Sequence, residues 1–77
     1  MTKVEVSKVE EYPDHRLLFS VSVDTAQRRM ELPIEIQDLG SAALDEAAVL
    51  RSTLRFAEDL AASVRRQLTA TKTEVTP

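Results

Sequence analysis

The chain has 77 residues, a net charge of −3, one histidine and no cysteine. Its length allows a single domain, and the lack of cysteine excludes disulfides, thiolate metal sites and a cysteine nucleophile. The acidic balance, with a pI near 5, argues against a nucleic-acid binder, whose domains run strongly basic.

No apolar stretch approaches the roughly 18 residues of a membrane span, and no apolar signal segment follows the start. A soluble, cytoplasmic protein is expected. A domain of about 60 residues buries only about 60% of its unfolded surface. Small chains without disulfides or metals commonly gain stability by oligomerising.

The first segment, "KVEVSKVEEY", predicts a strand over about residues 3–10. Val4 and Val6 alternate, then the phase slips at Val9; a β-bulge near Ser7–Lys8 would let all three face inward. "YPDH", residues 12–15, supplies a turn with Pro13 and Asp14 at its centre. "RLLFSVSVD", residues 16–24, alternates cleanly: Leu17, Phe19, Val21 and Val23 to one side, Ser20, Ser22 and Asp24 to the other.

The third strand, about residues 28–36, repeats the pattern with Met30, Leu32, Ile34 and Ile36 inward. Opposed residues share a face, so apolar must meet apolar. Val23 then pairs with Met30, Val21 with Leu32, Phe19 with Ile34 and Leu17 with Ile36, which sets Asp24 opposite Arg29. Ala26–Gln27 is left as the turn, without the Asn-Gly expected of a tight hairpin. Pro33 lacks a ladder donor and demands an edge strand, which a meander provides.

In "MELPIEIQDLGSAALDEAAVL", residues 30–50, the period changes from two to three and four. Gly40 breaks the strand phase, Ser41 is a good N-cap, and Asp45 and Glu46 lie where the helix dipole favours carboxylates. From Ala42 to about Leu68 there is neither proline nor glycine, and strong helix formers dominate. The expected fold class is α+β: a three-stranded antiparallel meander followed by one long helix packed on one sheet face. This domain occupies residues 1–69, with residues 70–77 a disordered tail.

The helix is too long and too apolar to serve its own sheet alone. About 27 residues run roughly 40 Å, against roughly 27 Å for an eight-residue strand. One stripe follows a heptad spacing: Ala47, Leu50, Leu54, Ala57, Ala61, Val64 and Leu68. A second comprises Val49, Phe56 and Leu60, with Thr53 between. Together they exceed the arc of about 100° that one packed face needs. The shorter stripe fits the length of the sheet and is assigned to the core. The longer one is assigned to a second copy, whose backbone its alanines admit closely; a parallel coiled coil usually carries larger residues there, so an antiparallel or crossed pair is expected. Exchange of the two stripes, or joining through the free edge of the first strand, is the alternative.

No catalytic, cofactor or metal site is expected. His15 reads as a turn histidine facing water; a zinc site wants three or four ligands, and a triad would need His15 beside Ser20 or Ser22, which lie on a flat strand without a nucleophile elbow. Gly40 stands alone, so no loop cradles a phosphate, and "EEYPD" lacks the spacing of a calcium loop. Arg51, Arg55, Arg65 and Arg66 form a ridge that a dimer would double, suited to phosphate but interleaved with Glu58 and Asp59. Arg55 and Asp59 are spaced for an i,i+4 ion pair. A two-layer fold has little room for a ligand cavity of 300 Å³ or more. The leading expectation is a homodimeric, non-enzymatic module that binds another protein; the alternative is a nucleic-acid-associated regulator.

Overall fold

Alternation of apolar and polar residues drives three segments into a sheet, and the pairing follows the apolar sets. The computed structural model describes residues 1–72. Strands β1 (Lys3–Glu11), β2 (Arg16–Asp24) and β3 (Arg29–Gln37) form an antiparallel sheet in the order β1-β2-β3, and helix α1 (Ala42–Lys72) lies against it. Between β2 and β3 the pairs are Val23 with Met30, Val21 with Leu32, Phe19 with Ile34 and Leu17 with Ile36, the register that the pattern requires. Asp24 meets Arg29 at 3.6 Å. Pro33 sits on the edge strand.

The two hairpin turns are closed in different ways. In the first, the His15 N–H donates to the Tyr12 carbonyl at 3.2 Å, and the Tyr12 N–H to Arg16 at 2.9 Å. His15 itself takes a left-handed conformation (φ 65°), the arrangement of a three-residue hairpin loop that ends on a left-handed residue. In the second, Ala26 and Gln27 form the two-residue turn. The Thr25 hydroxyl accepts from the Gln27 and Arg28 N–H groups at 3.3 and 3.0 Å. A side-chain oxygen thus does what the backbone of an Asn-Gly turn would do.

In β1 the bulge falls one residue later than expected. The register shifts between Lys8 and Glu10, so Val9 is the extra residue. It is 60% exposed and does not join the core. Val4 and Val6 do oppose Val23 and Val21, but Lys8 is the residue opposite Phe19. The lysine stem can lie along apolar surface while its ammonium leaves it. Here the ammonium pairs with Glu11, which opposes Leu17 on the same face.

Helix entry is fixed by three side chains. The Leu44 N–H donates to Ser41 Oγ at 3.1 Å, the expected N-cap. Gly40, at φ 95°, donates its N–H to Asp38 Oδ1 at 2.9 Å. Asp45, only 7% exposed, accepts the Leu39 N–H at 2.7 Å.

The helix continues to Lys72, past the expected end at Leu68. No proline or glycine intervenes before Pro77, and the Thr69 hydroxyl bonds back to the Arg65 carbonyl at 2.9 Å. Residues 70–72 therefore belong to the helix; the rest of the expected tail lies outside the described residues. The core is small: Leu17, Phe19, Val21 and Val49 are buried, and Val6, Val23, Leu32, Ile34 and Ile36 pack around them partly covered.

Candidate interaction surface on the helix

A 31-residue helix runs about 46 Å at 1.5 Å per residue, whereas nine-residue strands run about 30 Å. The helix must overhang the sheet, and the molecule's dimensions of 54 × 25 × 17 Å reflect this. Its radius of gyration is 16.3 Å, against about 11–12 Å for a compact domain of this length.

Contact with the sheet is confined to the first turns. Val49 is fully buried, and Ala47, Ala48 and Thr53 are half-buried. Beyond Thr53 the two stripes share one fate. Phe56 and Leu60 lie on the same side of the helix as Val49 but are 45% and 48% exposed. Their assignment to the intramolecular core is corrected: the azimuth was right, but the sheet ends before the helix reaches them.

The outer stripe is uncovered over most of its length. Leu50, Leu54, Val64 and Leu68 are exposed, as is Ala57, while Ala47 and Ala61 are half-buried. Past the sheet, Phe56, Leu60, Val64, Ala57, Leu68 and Ala61 merge into one apolar arc of about 140° at 3.6 residues per turn. Six large side chains, Leu50, Leu54, Phe56, Leu60, Val64 and Leu68, are roughly half exposed. They put on the order of 600 Å² of apolar surface in water, the upper end for a soluble monomer.

The charged face of the helix is less continuous than the ridge expected from the sequence. Arg51, Arg55, Arg65 and Arg66 are exposed, as two pairs with Glu58 and Asp59 between. Arg66 donates to Ser63 Oγ at 3.2 Å. Among the described residues none of the four makes an ion pair, and the expected Arg55–Asp59 contact does not form.

Elsewhere the polar groups serve the fold. Exposed His15 supplies its carbonyl to the Asp38 N–H at 2.8 Å and to Gln37 Nε2 at 3.4 Å. Arg16 binds Asp14 and Glu35, each at 2.7 Å, and lies 5.2 Å from the centre of the Tyr12 ring. Some desolvation pushes the Asp14 carboxyl up, but the hydrogen bond and charge of Arg16 outweigh it and hold the group below its usual range. Ser20 opposes Ser7 and Pro33 on the outward face; Ser22 opposes Glu5 and Glu31, and its hydroxyl oxygen is buried without a partner among the described residues. Neither serine lies near His15, which is in the turn.

A hollow of about 140 Å³ is lined by Val6, Lys8, Phe19, Ala42, Asp45 and Glu46. It is smaller than ligand pockets generally are. Lys8 in its wall was missed by sequence reasoning because a charged residue inside an alternating strand reads as outward; only the phase slip at Val9 signalled otherwise. The Glu11 hydrogen bond and charge push the Lys8 pKa up. Among the described residues, no group of three or more His, Asp or Glu side chains could hold a metal ion. Among the described residues, no helix is long and apolar enough to cross a membrane. No protein-family model matches the chain, and no curated protein and no solved structure matches it.

Proposed function

We propose that the protein is a small non-enzymatic protein–protein interaction module, an adaptor, inhibitor or accessory subunit, that works as a homodimer joined along α1. The observation that carries this reading is the uncovered apolar arc from Leu50 to Leu68, on a chain whose core, among the described residues, holds four buried apolar side chains. Burial of apolar surface contributes roughly 25 cal/mol per Å², so so small a core leaves an isolated subunit marginal. The interface is assigned to Ala47, Leu50, Leu54, Ala57, Ala61, Val64 and Leu68. Both sheet edges are poor alternatives. Pro33 interrupts the donors of β3, and β1 carries a bulge beside Lys8, devices that discourage edge pairing.

Sedimentation equilibrium at micromolar concentration tests the reading. A mass of about twice 8.6 kDa is expected, and a mass near 8.6 kDa refutes the dimer.

A second reading, a nucleic-acid-associated regulator, is favoured by one observation: the four helix arginines are exposed and free of ion pairs among the described residues. Dimerisation would double them. Salt-sensitive binding of the pure protein to generic DNA or RNA would support this. Failure to bind at low salt would exclude it.

A further inference from the structure

The structure leaves two apolar surfaces on α1 at different azimuths: the outer stripe, and the underside of the overhang at Phe56 and Leu60. We infer that one second copy covers both, by packing its helix antiparallel to the first about a two-fold axis beside residue 59. The inference rests on the proposal that the chain dimerises through α1, and adds which way the partner runs and where the axis lies.

The stripe is self-complementary about that point. Leu50 reflects onto Leu68, Leu54 onto Val64, and Ala57 onto Ala61. Large side chains thus meet large ones at both ends, while the small ones let the backbones approach at the centre. This layering alone would also suit a parallel pair, since Ala57 and Ala61 would then meet their own copies. The overhang separates the two cases.

In a parallel pair both sheets sit at one end. Both overhangs then run off together, with each Phe56 still facing water. In an antiparallel pair the overhang of one subunit runs beside the sheet-bearing half of the other. Leu60 then lies across the axis from the partner's Leu60, with Phe56 displaced only about 3 Å along the axis from it, because each residue adds 1.5 Å. A single small core forms between the two sheets.

The area agrees. About 600 Å² from each chain gives about 1,200 Å² in total, which reaches the size of specific interfaces. An isologous pair of this kind closes on itself and leaves no unfilled copy of the surface. The oppositely directed helix dipoles are also favourable neighbours.

Spin-label distances decide the geometry in the full chain. There is no native cysteine, so Ser52→Cys, Arg55→Cys, Ala62→Cys and Thr69→Cys each take one nitroxide. All four positions are exposed and on the side of the helix away from the arc. An antiparallel pair separates the two labels along the axis by about 3 Å for each residue of distance from 59, twice the helical rise. Ala62 and Thr69 lie within about 20° of each other around the helix, so pulsed EPR should give a distance at Thr69 well above that at Ala62, with no steady rise from Ser52 through Arg55 to Ala62. Nearly equal distances at all four positions would mean a parallel pair, overturning this inference while leaving the dimer intact. Distances rising steadily along the helix toward Thr69 would mean joining through the sheets, and also overturn it. Absence of any dipolar coupling, with a monomer mass in sedimentation, would overturn the dimer and the inference together.

Discussion

The Asp45 carboxylate accepts the Leu39 N–H at 2.7 Å, tying the first turn of the helix to the loop that leaves the sheet. Asp45 is nearly fully buried, so the bond is partly shielded from water. Asp45→Ala leaves that N–H without a partner, at a cost of about 1–3 kcal/mol. Asp45→Asn keeps an acceptor oxygen and should lose less. Urea melts at one fixed protein concentration compare the two. Equal losses would show that charge near the helix dipole, not the tether to Leu39, is what Asp45 contributes.

The sequence marked Asp45 only as a carboxylate in a favourable first turn, and that contrast is general here. Register was legible because period-two alternation forces apolar residues to face one another: Phe19 opposite Ile34 admits no one-residue slip. Helix entry at Ser41 was legible because capping is local. What was not legible depended on three-dimensional reach. Phe56 shares an azimuth with Val49, but only the finished sheet determines where coverage stops. Lys8 faces Phe19 because the bulge falls at Val9, and two valines and a lysine in alternation do not say which residue is extra.

His15 occupies a left-handed conformation in which histidine is tolerated and a β-branched residue is not. Its imidazole makes no hydrogen bond among the described residues, so His15→Ala should change stability by less than about 0.5 kcal/mol. His15→Gly removes the Cβ penalty and should be neutral or stabilising, by up to about 1 kcal/mol. His15→Val should destabilise more than either. Thermal melts that ranked valine above glycine would contradict the turn geometry.

Ser22 places a hydroxyl oxygen, without a partner among the described residues, on the outward face between Glu5 and Glu31. A buried polar atom left unsatisfied costs about 1–3 kcal/mol, and valine suits a central strand. Ser22→Val should therefore raise stability by about 1 kcal/mol. A loss on urea denaturation would mean that the hydroxyl finds a partner in solution.

The Asp14–Arg16 contact predicts a pH dependence with a definite sign. Desolvation pushes the Asp14 carboxyl up, but the hydrogen bonds and charge of Arg16 together hold it below its ordinary value of 3.8. A folded value below the unfolded one means that ionised Asp14 favours the native state above pH 3.8, and that this contribution is lost as pH falls through the lowered value. NMR titration of the Asp14 side chain should show its midpoint below 3.8, and Arg16→Gln should return it upward. An unchanged midpoint in that variant would show that Arg16 does not set it.

The two helix surfaces finally predict distinct failures on substitution. Val49 is fully buried against the sheet, so Val49→Ala should destabilise each subunit by about 1.5–3 kcal/mol at every protein concentration. Phe56 is 45% exposed in the single chain, so the 3–5 kcal/mol typical of a fully buried phenylalanine should not appear in the subunit itself. Its loss should instead weaken association, giving a stability deficit that is absent where both proteins are monomeric and grows as concentration rises, while the dimeric fraction recovers by mass action. Ala61→Arg introduces a charge at the close approach of two backbones. It should abolish the dimer outright while circular dichroism retains helix from the packed first turns. Sedimentation of the three variants separates the cases: Val49→Ala dimeric but less stable, Phe56→Ala weakly dimeric, Ala61→Arg monomeric. A dimer that survives Ala61→Arg undiminished would move the interface off the stripe altogether.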